Sequence, residues 1–155
     1  SELNREDFEK VRNSANELIT NYTGSSYAPL AALVLAKVAV SEGEPDAAQA
    51  QLQWALDHAG LPEVQHTARI RLVRVLIGQQ QFAQAKDVLA KTAERGEYAY
   101  LYTELEGDLA LAEGDTPGAA DAYKRALDAM PAQSPAAGLL TTKYENVAVT
   151  SESNQ

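Results

Sequence analysis

His58 and His66 are the only histidines in the chain, eight positions apart across the break Gly60-Leu61-Pro62. A helical zinc pair wants two histidines four apart on one face, with a third ligand to follow. That geometry is missing, so both read as surface or capping side chains. There is no cysteine, hence neither a thiolate metal site nor a disulfide framework. Gly114 to Gly118 lacks the lysine followed by serine or threonine that would complete a phosphate loop. Serines are numerous, but none comes with a base and an orienting acid. Glu104 and Asp108 lie four apart on one helix face, a spacing open to an acid–base couple. Without a burying cleft they read instead as solvated, or as partners of Arg74. Asn21-Tyr22-Thr23 matches the glycosylation sequon, a pattern too short to carry weight. The expectation is a non-enzyme with no catalytic residue, no metal and no cofactor, whose work is binding.

The elements that position such a binding surface are read as helices. Alanine is frequent and few segments are rich in β-branched residues, which favours helix. The 155 residues form one domain large enough for a core, and a hydrophobic share of 45% beside a charged share of 23% is that of a globular chain. A formal net charge of −9 without a basic patch argues against nucleic acid and against adsorption to anionic lipid. No apolar run is long enough to span a bilayer. The sequence opens on Ser1 without a signal-peptide pattern, and an anchor or signal is expected upstream of it.

One stretch sets the pattern. Gly114-Asp115-Thr116-Pro117 reads as a helix stop, a cap and a first-turn proline. Ala119, Tyr123 and Ala126 then put a small, a large and a small side chain on one face, and Pro131 closes the segment. After Gly43-Glu44-Pro45-Asp46 the pattern returns as Ala48, Leu52 and Ala55. A third copy, Ala85, Leu89 and Thr92, has glutamine where the turn glycine should be. Each copy follows a first helix: Tyr27–Ser41, Glu63–Gln79 and Glu97–Glu113. Seven positions before the turn stand Ala36, Val73 and Gly107. This is the signature of tetratricopeptide (TPR) helix pairs. The predicted fold is an all-α, tetratricopeptide-type helical solenoid of three helix pairs with an extra helix at each end, Leu3–Tyr22 and Ser134–Val149. The solenoid domain covers 1–149, and 150–155 is read as a frayed polar tail.

In their order and spacing, several segments resemble one family. They are Tyr27-x-x-Leu30-Ala31-x-Leu33-x-Leu35-Ala36, Ala48-x-Ala50-Gln51-Leu52-Gln53, Arg71-Leu72-Val73-Arg74-Val75, Glu104-Leu105-Glu106-Gly107-Asp108, Gly114-Asp115-x-x-Gly118-Ala119 and Lys143-x-x-Asn146. Together they resemble the YfgM-like ancillary subunits of the bacterial SecYEG translocon, over about Phe8 to Val149. The resemblance implies the periplasmic TPR domain of a single-pass inner-membrane protein, with membrane attachment only through an anchor missing from this chain. It also implies association with SecYEG and with a membrane-anchored periplasmic chaperone of the prolyl-isomerase type, and assistance to exported proteins. The alternative is a free TPR adaptor or assembly-factor domain unrelated to the translocon.

In stacked helix pairs the first helices line the concave side. The inner positions are Leu30, Leu33, Lys37 and Val40 in the first copy, Thr67, Ile70, Arg74 and Ile77 in the second, and Leu101, Glu104, Asp108 and Leu111 in the third. They predict an apolar groove crossed by a charged row, Lys37, Arg74 and Asp108, in which an apolar partner segment lies. The competing reading is that the chain's own leading or trailing helix fills the groove, and that Arg74 and Asp108 pair. Leu33 and Ile70 stand where a carboxylate clamp would need lysine and asparagine, so that clamp is absent. Tyr98 and Tyr102 are expected to pack inward with Tyr100 half exposed, and Trp54 to pack at the edge of its helix.

Overall fold

A computed structural model describes residues 2–92 and 94–152, and the side chains of 5–92 and 94–149. Eight α-helices and a short 3-10 turn account for the secondary structure, and there is no strand among the described residues. They are α1 (Glu2–Asn21), α2 (Ala28–Ser41), α3 (Pro45–His58), α4 (Pro62–Gly78), α5 (Phe82–Ala90), the 3-10 turn Gly96–Tyr98, α6 (Ala99–Ala112), α7 (Thr116–Ala129) and α8 (Ala137–Glu152). This is the all-α, tetratricopeptide-type class that the spacing predicts. The chain divides into two compact units, Ser1–Val75 and Leu76–Gln155.

The turns form for local reasons. Gly114 and Gly43 take left-handed backbone angles, φ +86° and +73°, which glycine adopts without a Cβ penalty. Asp115 caps α7, its Oδ1 accepting from the Gly118 amide at 2.9 Å. In the degenerate copy Gln80 is driven into the same left-handed region, φ +59°. Backbone bonds from Gln80 N to the Ile77 carbonyl and from Gln81 N to the Leu76 carbonyl complete that turn.

In the first unit α2 packs against both α1 and α3. α2 is apolar nearly all round and buries nine residues, as a helix covered on two sides should. From α3 it meets Ala48, Leu52 and Ala55, the buried small-large-small face. α1 contributes Ala15, Leu18 and Ile19, packed on Ala31 and Leu35 of α2. Arg12 ties α1 to the end of α2 through Glu42, and reaches Glu44 at 3.5 Å.

In the second unit α6 and α7 form the tightest pair. Gly107 sits under the Tyr123 ring, where an added Cβ would come within 2.5 Å of Cε1. That close approach explains the small residue seven positions before the turn. α8 closes the unit, its Leu140 and Val147 buried in one cluster with Ala119, Tyr123 and Ala126 of α7. Arg95, which follows α5, links it to α6: it donates to the Leu89 carbonyl at 3.3 Å and to Glu106 at 2.6 Å, and lies over the Tyr102 ring. Lys86 on α5 also bonds Glu113 at 2.6 Å. The expected tail at 150–155 is partly helix: Thr150, Ser151 and Glu152 continue α8, while 153–155 lie outside the described residues.

Candidate protein-binding site

The positions expected to line a groove do not share one environment. On α2, Leu30, Lys37 and Val40 are exposed, whereas Leu33 is buried. Helical geometry sets Leu33 apart from Leu30 and Lys37, while Val40, about 80° round from Leu30, is exposed in the last turn of α2. Three residues beyond Leu30 lies about 60° round the helix, but four and seven residues beyond lie within about 40°. The open stripe is therefore Leu30, Val34 and Lys37, with Val34 outside the inner positions that the repeat predicts. On α4, Arg74 is exposed, Thr67 and Ile77 are half-buried, and Ile70 is buried. Leu33 and Ile70 therefore offer no surface to a partner. On α6, Leu111 is exposed and Leu101 half-buried.

Glu104 and Asp108 correct the expectation of solvated carboxylates or of an Arg74 pair. Glu104 is buried at 6% exposure. The ammonium of Lys143, from α8, donates to Glu104 Oε1 at 2.6 Å and to Asp108 Oδ1 and Oδ2 at 2.9 and 3.0 Å. The Tyr123 hydroxyl donates to Asp108 Oδ1 at 2.7 Å. Burial alone would lower the Lys143 pKa, but hydrogen bonds to the two carboxylates carry it above the ordinary lysine value. Burial, then the bond to Asp108, pushes the Tyr123 phenol far above its usual range. Lys143 thus stays charged and Tyr123 neutral at physiological pH. Here the chain's trailing helix occupies the polar face of α6, the competing reading of the sequence.

Of the two histidines, His58 is exposed and His66 half-buried. The His58 ring stacks on Trp54 with centroids 4.1 Å apart, and its Nδ1 lies 2.8 Å from the Trp54 carbonyl oxygen. His66 is held below its usual pKa by burial and then by the charge of Arg69, against the pull of Glu63. Among the described residues no group of three or more His, Asp or Glu side chains could hold a metal, and no helix is long and apolar enough to cross a membrane. Tyr102 is fully buried, with Tyr98 and Tyr100 half-buried.

One open apolar surface is the flank of α1 and α2. Val11, Tyr27, Leu30 and Val34 are exposed there, around a groove of 480 Å³ between the two helices, and Tyr22 is exposed beside an adjoining hollow. Of α1, Ala15, Leu18 and Ile19 reach the α2 cluster, and Val11 stays exposed.

Paired helices with buried small-large-small seams and an apolar flank left open define a helical-repeat interaction module. The chain belongs to the tetratricopeptide repeat-like domain family, whose model matches residues 1–149. In general, domains of that family are non-catalytic and bind other proteins. No curated protein matches the chain.

Proposed function

We propose that this protein is a non-catalytic scaffold, the periplasmic domain of an accessory subunit of the bacterial Sec translocon. In that role it links the translocon to a membrane-anchored periplasmic chaperone of the prolyl-isomerase type and assists exported proteins. Its place is the periplasmic face of the inner membrane, with attachment through a single-pass anchor upstream of Ser1. The observation that carries the reading is the order and spacing of the segments from Tyr27 to Asn146, set on helix pairs of the tetratricopeptide type. The exposed apolar side chains on α2 support a binding role, because surface of that kind is costly unless a partner covers it.

Anchoring raises local concentration, so the binding energy needed from the domain itself is modest. The test is crosslinking of the full-length protein in native membranes, with a photoreactive residue placed at Val40 or Leu111. The expected adducts contain a translocon subunit or a periplasmic membrane-anchored chaperone. Adducts with neither, from a protein that fractionates away from the inner membrane, overturn the translocon reading and favour a free adaptor.

A further inference from the structure

The scaffold reading is taken as the starting point here and deepened by one surface and the chemistry of its occupant. The groove between α1 and α2 is walled by Val11 and Leu18 on one side and by Tyr27, Leu30 and Val34 on the other. Its floor includes Ala15 and Ala31, both small and buried, so an incoming side chain meets no bulk there. A second hollow of 360 Å³ shares Ser14, Leu18 and Tyr27 with the first and continues to Glu17 and Tyr22. From Val11 to Tyr22 the rise along α1 is about 16 Å, or three turns of a partner helix. Leu30 is 41%, Val34 45% and Tyr27 67% exposed.

Charge selects the partner. Lys10 is bridged to Glu6 on its own helix at 3.5 Å, and Arg12 is held by Glu42 and Glu44. Glu17 has no hydrogen bond or ion pair among the described residues, and it lies beside the hollow. The last turn of α1 carries no basic residue, so the partial negative charge of its carbonyl end is uncompensated by its own side chains. The chain as a whole carries −9. All three features favour a cation at the Glu17 end and disfavour an acidic ligand. The second unit shows how this chain accepts a helix: α8 inserts Leu140 and Val147 with Tyr144 packed alongside, and seats one ammonium on two carboxylates.

We propose that the α1–α2 groove binds, in trans, a cationic amphipathic helix of a partner protein. Its aliphatic side chains, spaced three and four apart, lie along Val11, Leu18, Leu30 and Val34, and a lysine or arginine meets Glu17.

The test uses the 155-residue chain and a fluorescent synthetic helix of alanine, leucine and lysine, leucines spaced three and four apart, with a twin carrying glutamate for lysine. Anisotropy titration should show saturable binding of the lysine helix, about tenfold tighter than its twin. Leu30→Ser with Val34→Ser should weaken it about tenfold with the circular dichroism unchanged. Leu139→Ser with Val149→Ser, a neutral change of exposed residues on α8, should leave it intact, and Glu17→Lys should weaken it several-fold. Equal affinity for the two helices overturns the proposal, as does binding indifferent to Leu30→Ser with Val34→Ser. So does co-sedimentation with phosphatidylglycerol vesicles without helix binding, or self-association that the same double substitution abolishes. A helix bound elsewhere sinks the groove and leaves the scaffold standing, since the scaffold is judged by crosslinks in membranes.

Discussion

α2 and α6 are each fourteen residues long and each ends at a left-handed glycine turn, yet they meet their surroundings in opposite ways. α2 buries alanine and branched aliphatics against α1 and α3, and leaves Leu30 and Val34 open. α6 buries a carboxylate, Glu104, and shares Lys143 between it and Asp108. The repeat thus sets only which residues face the partner helix of the pair. What the remaining face does depends on the terminal helix beside it, which leaves an apolar flank in the first unit and seals a polar joint in the second. A binding surface and a structural joint come from the same position of one motif.

The largest effect should come from breaking the joint. Tyr123→Ala removes a ring that fills the space over Gly107 and leaves Asp108 without one donor, so a loss of about 4 kcal/mol is expected in urea unfolding. Lys143→Met should cost about 2 kcal/mol, less than a fully buried pair because Lys143 is about a quarter exposed. Adding Glu104→Gln should recover part of that loss, since it removes the carboxylate left uncompensated. A double variant that loses as much as the two single variants added together would show that the charges do not couple.

pH sharpens the same contrast. Both Lys143 and Tyr123 have folded pKa values above their ordinary 10.5 and 10.0. Their contributions are complete below those values and fall as pH rises past them, because the unfolded chain releases protons that the folded chain retains. Thermal melts should therefore hold near neutrality and drop above pH 10, and Lys143→Met should flatten that drop.

Smaller effects should come from the first unit and from the degenerate turn. Leu30→Ser with Val34→Ser should change stability by no more than about 0.5 kcal/mol, as for other exposed sites, while weakening helix binding about tenfold. Gln80→Gly should stabilise by about 0.5–1 kcal/mol, because glycine takes the left-handed angle without strain. A destabilised Gln80→Gly variant would mean that the glutamine side chain outweighs its backbone cost.

Much of this fold is written locally. The small-large-small faces, the turn glycines and the Asp115 cap depend on neighbours within a few residues, so their spacing reveals them. Gln80 was legible as a departure, and the pair's geometry forced its backbone into the glycine conformation all the same. The site was less legible. Lys143 lies 39 and 35 positions from Glu104 and Asp108, and no periodicity links them. It stood out in the sequence only as part of a family-like segment. Leu33 and Leu30 share a helix and a residue type, and only about 60° of rotation makes one core and the other surface. Val34 and Tyr27 are not inner positions of the repeat, and the open flank they form is made by α1, which belongs to no repeat.

A cationic partner helix is expected to engage the first unit along α1 and α2 and to leave the sealed face of α6 alone. Amide chemical-shift mapping of the 155-residue chain during titration with the lysine helix tests it most directly. Perturbations should be confined to residues lining the α1–α2 groove, between Lys10 and Val34. Perturbations centred on Glu104, Asp108 and Lys143, with α8 displaced and the first unit silent, would contradict it.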